Sequence, residues 1–519
     1  MYCSNRCAIN ELTSRMNEAA TENNSSLCAN IDKFRFFPTS EGIRLELSVH
    51  FKEKLLVCNT VRVNGTELCC TINKDNSQPL DSIRLEFVVP YELMQDVNNF
   101  PSILVESNGS SQFIDFVKPR ELKNKMKRLQ NNKVCMIKTK NNRFCIEYRD
   151  MNVTDRRVEE FKLYLAYMLH LLTPFFRPVI MYEKNCRGYE ESASVLFEEL
   201  MRNGYKGIYY ILEGGSPAKH IVRKYSFMHY YLLFACRTVI STETLAHALD
   251  KYCSSRIFSR MFLRGNKNYV FLQHGVTYMI SLASEQRAFY KKRESKGIQR
   301  VVVSSQKEAD QFINCTSYTA EDMYITGFAK FDRCIKYDYA DKIVIMLTWR
   351  PWEANLPMEE TSYYRMLVKI ADSIPAKYKD KTVIIPHPLF KDKESDLWSS
   401  DIFAKTYDEI LREAAVLVTD YSSISYDAFY RGSNIIFCWE ELSECIKHYG
   451  PSAELLLKEN EAFGIVNYDS NISDALDELY LKEQKKEYVE NYRSIVQYHD
   501  NRNTERIVHL LERDKLIHK

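Results

Sequence analysis

From about residue 151 onward, short runs of apolar and β-branched residues alternate with stretches of helical periodicity, and few folds accommodate that alternation. VIMYEK, GIYYILE, RTVIST, NYVFLQHG and RVVVSS form one series, separated by segments such as SASVLFEELMRN; a second series begins at about 341 with IVIML, TVIIPH, VLVTD and NIIFCW. Uninterrupted apolar strands between helices are the pattern of a parallel sheet covered on both faces. The expected fold class is therefore α/β, with two doubly wound, Rossmann-like halves, residues 151–340 and 341–519, facing one another across a cleft. The last stretch, from about 478, is charged and helical.

The pattern before residue 151 is different. Residues 1–30 carry the polar stretch NEAATENNSSLCAN, which has little to bury and reads as a loose tail. IRLELSVHF, LLVCNTVRV, ELCCTIN, SIRLEFVV and SILVES follow as short runs separated by turn-forming clusters such as VNGTE and ESNGSSQ, and Asn132 to Tyr148 reads as a further hairpin. Residues 31–150 are thus expected to form a small antiparallel β-domain, with the basic segment Lys118 to Lys133 as a solvated helix or linker or, alternatively, a contact for an anionic membrane or polymer. Nothing in this region offers a nucleophile, a base or a metal cluster.

Charge and cysteine usage exclude several classes of function. Basic and acidic residues, 71 and 69, nearly cancel, so no global field draws the chain to nucleic acid. The 15 cysteines are scattered and lack paired CxxC spacing, which points to thiols in a reducing compartment. MYCSNRCAINELTSR has no apolar core of signal-peptide length, so the expected location is the cytoplasm. Leu163 to Phe176 is apolar but falls short of the ~20 residues needed to span a bilayer. It reads as a core helix or, alternatively, as an interfacial segment contacting the inner face of the membrane. No Walker lysine loop or GxGxxG fingerprint is present, and no His/Cys/Asp cluster suggests a metal or other cofactor.

Four strand ends carry polar groups. FLQHGV ends at His274 and Gly275, IVIMLTWRPW supplies Thr348 and Arg350, VIIPHPLF supplies His387 between two prolines, and LVTDYSSISYD runs from an apolar strand into Asp420, Ser422 and Ser423 at the start of a helix. Ligands in open α/β sheets sit beyond the carboxyl ends of the strands, so these four ends predict one cleft. Small hydroxyl residues where a strand meets a helix suit an anion, because unpaired amides point outward there; the same letters also suit an ordinary N-cap.

The ordered set QHG, TWR, HP and TDYSS, with TGFAKFD at Thr326 to Asp332, resembles the CDP-glycerol glycerophosphotransferase family, the teichoic-acid type primases and polymerases of bacterial cell walls, over roughly residues 150 to 500. The resemblance implies the GT-B architecture and transfer of glycerol phosphate from CDP-glycerol, or a related CDP-polyol, to a hydroxyl of a lipid-linked or polymer acceptor, with release of CMP. Such a reaction needs a base for the attacking hydroxyl and an anion cradle for the leaving group. His274 fits the base, with Gly275 allowing close approach. The matching histidine of the family implies a role for His387 on the leaving phosphate. Thr348, Arg350, Ser422 and Ser423 are the expected phosphate donors. Asp420 is expected to fix a loop or a donor group, Glu183 is a further cleft candidate, and Asp427 is either structural or in contact with substrate.

The sequence departs from the family where HGVTYMIS lacks the lysine that many relatives carry a few residues after the HG pair, and where Lys184 replaces an arginine after Glu183. These departures bear on selectivity for donor and acceptor. Two other readings stay open: a GT-B glycosyltransferase using a nucleotide sugar, whose pyrophosphate cradle would look alike, and a non-catalytic member that binds a polymer or partner through the β-domain.

Overall fold

The computed structural model describes residues 28–519 except for 53–54, 74–81, 96, 108, 120, 141–142, 217, 285–286, 288–289, 294, 354–355, 388–389, 391–394, 400–401 and 404. The chain divides into two compact units, Met1–Glu159 and Glu160–Lys519. The polar tail expected over residues 1–30 lies outside the described residues as far as 27, and Ala29 already opens a strand, Ala29–Pro38.

The first unit is a β-structure whose described strands pair almost entirely antiparallel; the exception is a two-residue parallel contact of Ala29 and Asn30 with Phe116 and Val117. The expected hairpin is present, with Lys133 opposite Asp150 and Lys140 opposite Arg143. The basic segment is a correction. Instead of a helix or linker it contains the strand Lys125–Arg128, paired antiparallel with Lys133–Lys140. Its lysines lie over aromatic rings: the ammonium of Lys125 is 5.2 Å from the centre of Phe34 and that of Lys127 is 4.7 Å from Phe37. Aliphatic stems and cation–π contacts let basic residues cover an apolar surface that charge alone would not suggest. Lys118 is buried, donates to Leu122 O and Asn124 Oδ1 at 2.8 Å each, and is lowered to about 8 by that burial.

In the second unit we number the strands β1 (Val179–Tyr182), β2 (Ile208–Leu212), β3 (Ile221–Arg223), β4 (Thr238–Ser241), β5 (Asn268–Phe271), β6 (Gln299–Val303), β7 (Met323–Ile325), β8 (Lys342–Ile345), β9 (Thr382–Ile384), β10 (Ala414–Thr419), β11 (Asn434–Cys438) and β12 (Ile465–Asn467). The first seven form one parallel sheet in the order β3-β2-β1-β4-β5-β6-β7, and the last five a second in the order β9-β8-β10-β11-β12. Each order reverses once, at β1/β4 and at β8/β10, and these are the switch points at which open α/β sheets leave a crevice.

Alternation along the strands buries both faces. Val179 and Met181 of β1 point into one cluster, and Ile180 and Tyr182 into another. In the second sheet Ile343 and Ile345 face a cluster of their own, whereas Val344, Leu417 and Ile435 join the cluster that also holds Val179, Met181 and Val270. The two sheets thus share one core between them, and each has a second core on its other face. Glu308, 0% exposed, ties β6 to the turn after β5: it accepts from Ser304 N at 2.6 Å and from Thr277 N and Oγ1 at 2.7 and 2.8 Å, while Gln273 Nε2 reaches it at 3.2 Å.

The apolar segment read as a core helix is the helix Arg157–Leu172, and only one side of it packs. Leu163 and Ala166 are fully buried, but Phe161, Met168, Leu172 and Phe175 are 61, 57, 79 and 97% exposed. Among the described residues no helix is long and apolar enough to cross a membrane.

Candidate functional site

A cavity of about 710 Å³ opens where the carboxyl ends of the two sheets meet. His274 lies three residues past β5, Thr348 three past β8, His387 three past β9, and Ser422 and Ser423 just past β10; all five line the cavity. A second cavity of about 280 Å³ adjoins it and shares His274, Thr348, Ser422 and Ser423 as walls. Gly275 lines only the smaller one. A side chain there would begin 3.1 Å from Ser423 Oγ, so glycine permits the close approach of the two halves at this point.

His274 stands with its ring open to the cavity and protein on its remaining sides. These surroundings, and then the charge of Lys330, hold its pKa below the usual histidine value, so the imidazole stays unprotonated to lower pH. Lys330 also fixes the loop: its ammonium donates to His274 O at 2.8 Å and pairs with Asp427 at 2.6 Å. Asp427 therefore has a protein partner on the opposite half while it lines the cavity. His387 is half-buried and lowered by that burial. Its ring stacks on Trp349 with centres 5.5 Å apart, and its amide donates to Tyr363 Oη at 3.0 Å. Pro386 lines the cavity with it, whereas Pro388 lies outside the described residues.

Arg350 is placed differently from the expectation. It lines neither cavity and is 0% exposed. Its Nη1 donates to Asp420 Oδ2 at 2.8 Å and its Nη2 lies 3.5 Å from Glu441. Burial works against the guanidinium charge, but the Asp420 carboxylate more than offsets it and holds the group above its usual range. Asp420 also accepts from Thr348 N at 2.9 Å and Thr348 Oγ1 at 2.7 Å. It thus fixes the loop after β8, one of the two roles anticipated for it, across the switch point from β10. Glu183 is the other difference. It is fully buried, lines neither cavity, and accepts from the amides of Glu190, Glu191 (2.8 Å) and Ser194 (3.2 Å), anchoring the start of the helix Ser192–Arg202.

The cavity wall also contains Lys184, noted in the sequence only as a departure from the family, and charged residues that no motif singled out. Lys184 pairs with Glu190, while Arg412 and Arg431 share Asp408 at 2.7 and 2.6 Å. Glu191 stands among them with Oε2 buried and without a hydrogen-bond partner; burial raises its pKa, and Lys330 and Lys184 oppose that rise. Lys330 belongs to TGFAKFD, so that segment was visible in the sequence although its lysine had no assigned task. The rest lie on helices and loops where charge reads as a solvated face. Among the described residues no group of three or more His, Cys, Asp and Glu side chains is placed to hold a metal ion.

Comparison with known proteins bears on what this arrangement does. A family model described as CDP-Glycerol:Poly(glycerophosphate) glycerophosphotransferase matches residues 165–513, more than half of the chain. The chain is 23% identical over 357 residues to the minor teichoic acid biosynthesis protein GgaB of Bacillus subtilis (strain 168), covering 60% of this chain and 39% of that protein. It therefore spans about two fifths of the length of that curated relative. Two solved structures of the wall teichoic acid polymerase TagF align with TM-scores of 0.49 and 0.48 at 13% identity, each covering 69% of this chain and 98% of the other.

Proposed function

We propose that this chain, which belongs to the CDP-Glycerol:Poly(glycerophosphate) glycerophosphotransferase family, transfers a polyol phosphate from a CDP-activated donor to an acceptor hydroxyl in the synthesis of a teichoic-acid-like wall or capsule polymer. Glycerol phosphate is the group we assign. The observation that carries the reading is the single cavity that gathers His274, His387, Thr348, Ser422 and Ser423 from four strand ends. Two parallel sheets with one switch point each, facing across that cavity, support the GT-B architecture.

In the proposed reaction His274 takes the proton of the acceptor hydroxyl as its oxygen attacks the phosphorus that carries glycerol. The new O–P bond forms as the bond from that phosphorus to the oxygen of CMP breaks, and CMP leaves with the electron pair. A neutral imidazole held below its ordinary pKa suits a base at neutral pH. The hydroxyls of Ser422 and Ser423 and the ring of His387 then face the charge that grows on the leaving phosphate, while Thr348, whose hydroxyl hydrogen goes to Asp420, shapes the loop beside them. Arg350 contributes from behind, by fixing Asp420 and through it the Thr348 loop.

The exposed apolar side of the helix Arg157–Leu172 supports contact with the inner face of the membrane, where a lipid-linked acceptor would be met. The reaction is tested by CMP release from CDP-glycerol and from CDP-ribitol, with and without a lipid-linked acceptor. The wild-type chain is expected to release CMP from CDP-glycerol in an acceptor-dependent way, and His274→Ala to lower turnover by roughly 10²- to 10⁴-fold. Release of a nucleoside diphosphate from a nucleotide sugar, with none of CMP from either polyol donor, would assign the cleft to glycosyl transfer instead.

A further inference from the structure

The two cavities differ in charge. The larger is ringed by cations that already have carboxylate partners: Lys184 with Glu190, Lys330 with Asp427, Arg333 with Glu198, and Arg412 and Arg431 with Asp408. The smaller has one cation in its wall, Arg287, and no carboxylate among its described lining residues. No ion pair or side-chain hydrogen bond among the described residues engages the Arg287 guanidinium. Its charge is nevertheless felt at His274 and at Tyr449, both walls of that cavity.

The cavity is built rather than incidental. Residues just before Arg287 are tied to the opposite half: Ser284 Oγ donates to Tyr449 O at 2.7 Å and Ser281 N to Glu454 O at 3.0 Å, and Arg287 N donates to Ser284 O at 2.9 Å. Opposite stands Tyr421, 4% exposed, whose hydroxyl lies beside the Cys445 thiol and has no oxygen or nitrogen partner among the described residues. An uncommitted guanidinium, a tyrosine whose hydroxyl has only a thiol beside it, and the two serines line a space that His274 also lines. That donor set suits a phosphate oxygen and offers nothing to a cation.

We propose that the smaller cavity is a phosphate-ester subsite and that Arg287 is its binding cation. It takes the phosphate that lies outside the CMP portion of the donor, either the phosphoryl group being transferred or the terminal phosphodiester of the acceptor. The inference deepens the phosphotransfer reading and rests on it: a reaction that joins two phosphate-bearing polyols across one histidine needs a second anion seat on the far side of that base. The larger cavity, whose cations are committed, then receives the nucleotide.

The test uses the full chain with Arg287→Ala, Arg287→Lys and wild type. Binding of glycerol 3-phosphate in the presence of saturating CMP is measured by calorimetry, alongside binding of CMP alone. The wild type is expected to bind glycerol 3-phosphate. Arg287→Ala should weaken that binding roughly 10- to 100-fold, the worth of a charge-assisted contact, while CMP affinity stays within twofold and Arg287→Lys recovers part of the loss. In turnover, a rise in KM for CDP-glycerol in Arg287→Ala would place the transferred phosphoryl group in the subsite, and a rise in KM for the acceptor would place the acceptor there. Absence of glycerol 3-phosphate binding by the wild type, or equal weakening of CMP and glycerol 3-phosphate in Arg287→Ala, would overturn the assignment. Because the binding measurement does not depend on turnover, failure of CDP-glycerol as a donor would be seen separately.

Discussion

Whether Arg350 holds the substrate or the protein is decided by what its removal damages. Asp420 accepts from Thr348 N at 2.9 and 3.1 Å, Thr348 Oγ1 and Tyr421 N at 2.7 Å, and Arg350 Nη1 at 2.8 Å. Asp420→Ala removes all of these and leaves a guanidinium that is 0% exposed with Glu441, at 3.5 Å, as its nearest described carboxylate, beside the carbonyl of Thr348, Met366 Sδ and the Tyr421 ring. Breaking a buried ion pair by deleting one partner costs about 3–5 kcal/mol. At about 2 °C per kcal/mol, the low end for large domains, the thermal midpoint of the second unit should fall by roughly 6–10 °C. Arg350→Met, which strands the carboxylate instead, should fall by a similar amount, and the double variant Asp420→Ala/Arg350→Met should lose less than the sum of the two because neither charge is then left alone. Thermal unfolding followed by circular dichroism reads the stability, and calorimetric titration with CMP reads the site. If Arg350→Met melted with the wild type while its CMP affinity collapsed, Arg350 would be a ligand donor and the reasoning from its burial would be wrong.

Other expectations follow from the same geometry. The acid limb of kcat/KM against pH should lie below the ordinary histidine value of about 6.5, because the base must be neutral and desolvation by the surrounding protein, followed by Lys330, depresses its pKa; Lys330→Met removes that cation, raises the His274 pKa and should shift the limb to higher pH, whereas an unmoved limb would dissociate Lys330 from the base. Gly275→Ala introduces a methyl 3.1 Å from Ser423 Oγ and should reduce turnover while leaving the thermal midpoint within about 2 °C, since the serine can give way by a few tenths of an ångström; a large stability loss instead would mean the two loops cannot yield. Replacing the exposed Phe161, Met168 and Leu172 together by serine should weaken sedimentation with anionic lipid vesicles without lowering stability, and unchanged sedimentation would remove the helix from the membrane account.

The strands that sequence periodicity passed over share one physical trait, which among the located ones only β9, lengthened by the apolar Ile385, also has. β1, β2, β4, β5 and β6 of the first sheet and β8 to β11 of the second stand out as apolar runs, and most are flanked by strands on both sides. The overlooked β3, β7 and β12 are three residues long and lie at sheet edges, where one flank has no strand partner and a short run suffices. In the first unit Lys125–Arg128 escaped for another reason: its lysines are held over Phe34 and Phe37, partners brought in by another strand. The same division applies to the site. A residue that follows a strand end within four positions has its place set by the strand, so His274, Thr348, His387 and the two serines converge on one cavity. Which donors remain free is set by pairing across the sheet, which no local pattern encodes. Ile345 opposite Val418 brings the loop after β8 beside Asp420, and that register turns Arg350 inward. Arg287, thirteen residues past His274 and in no motif, is left uncompensated by the same kind of accident of neighbours. In this chain strand ends therefore point to the cleft, and the ion pairs among the described residues leave Arg287 as a wall cation without a carboxylate partner.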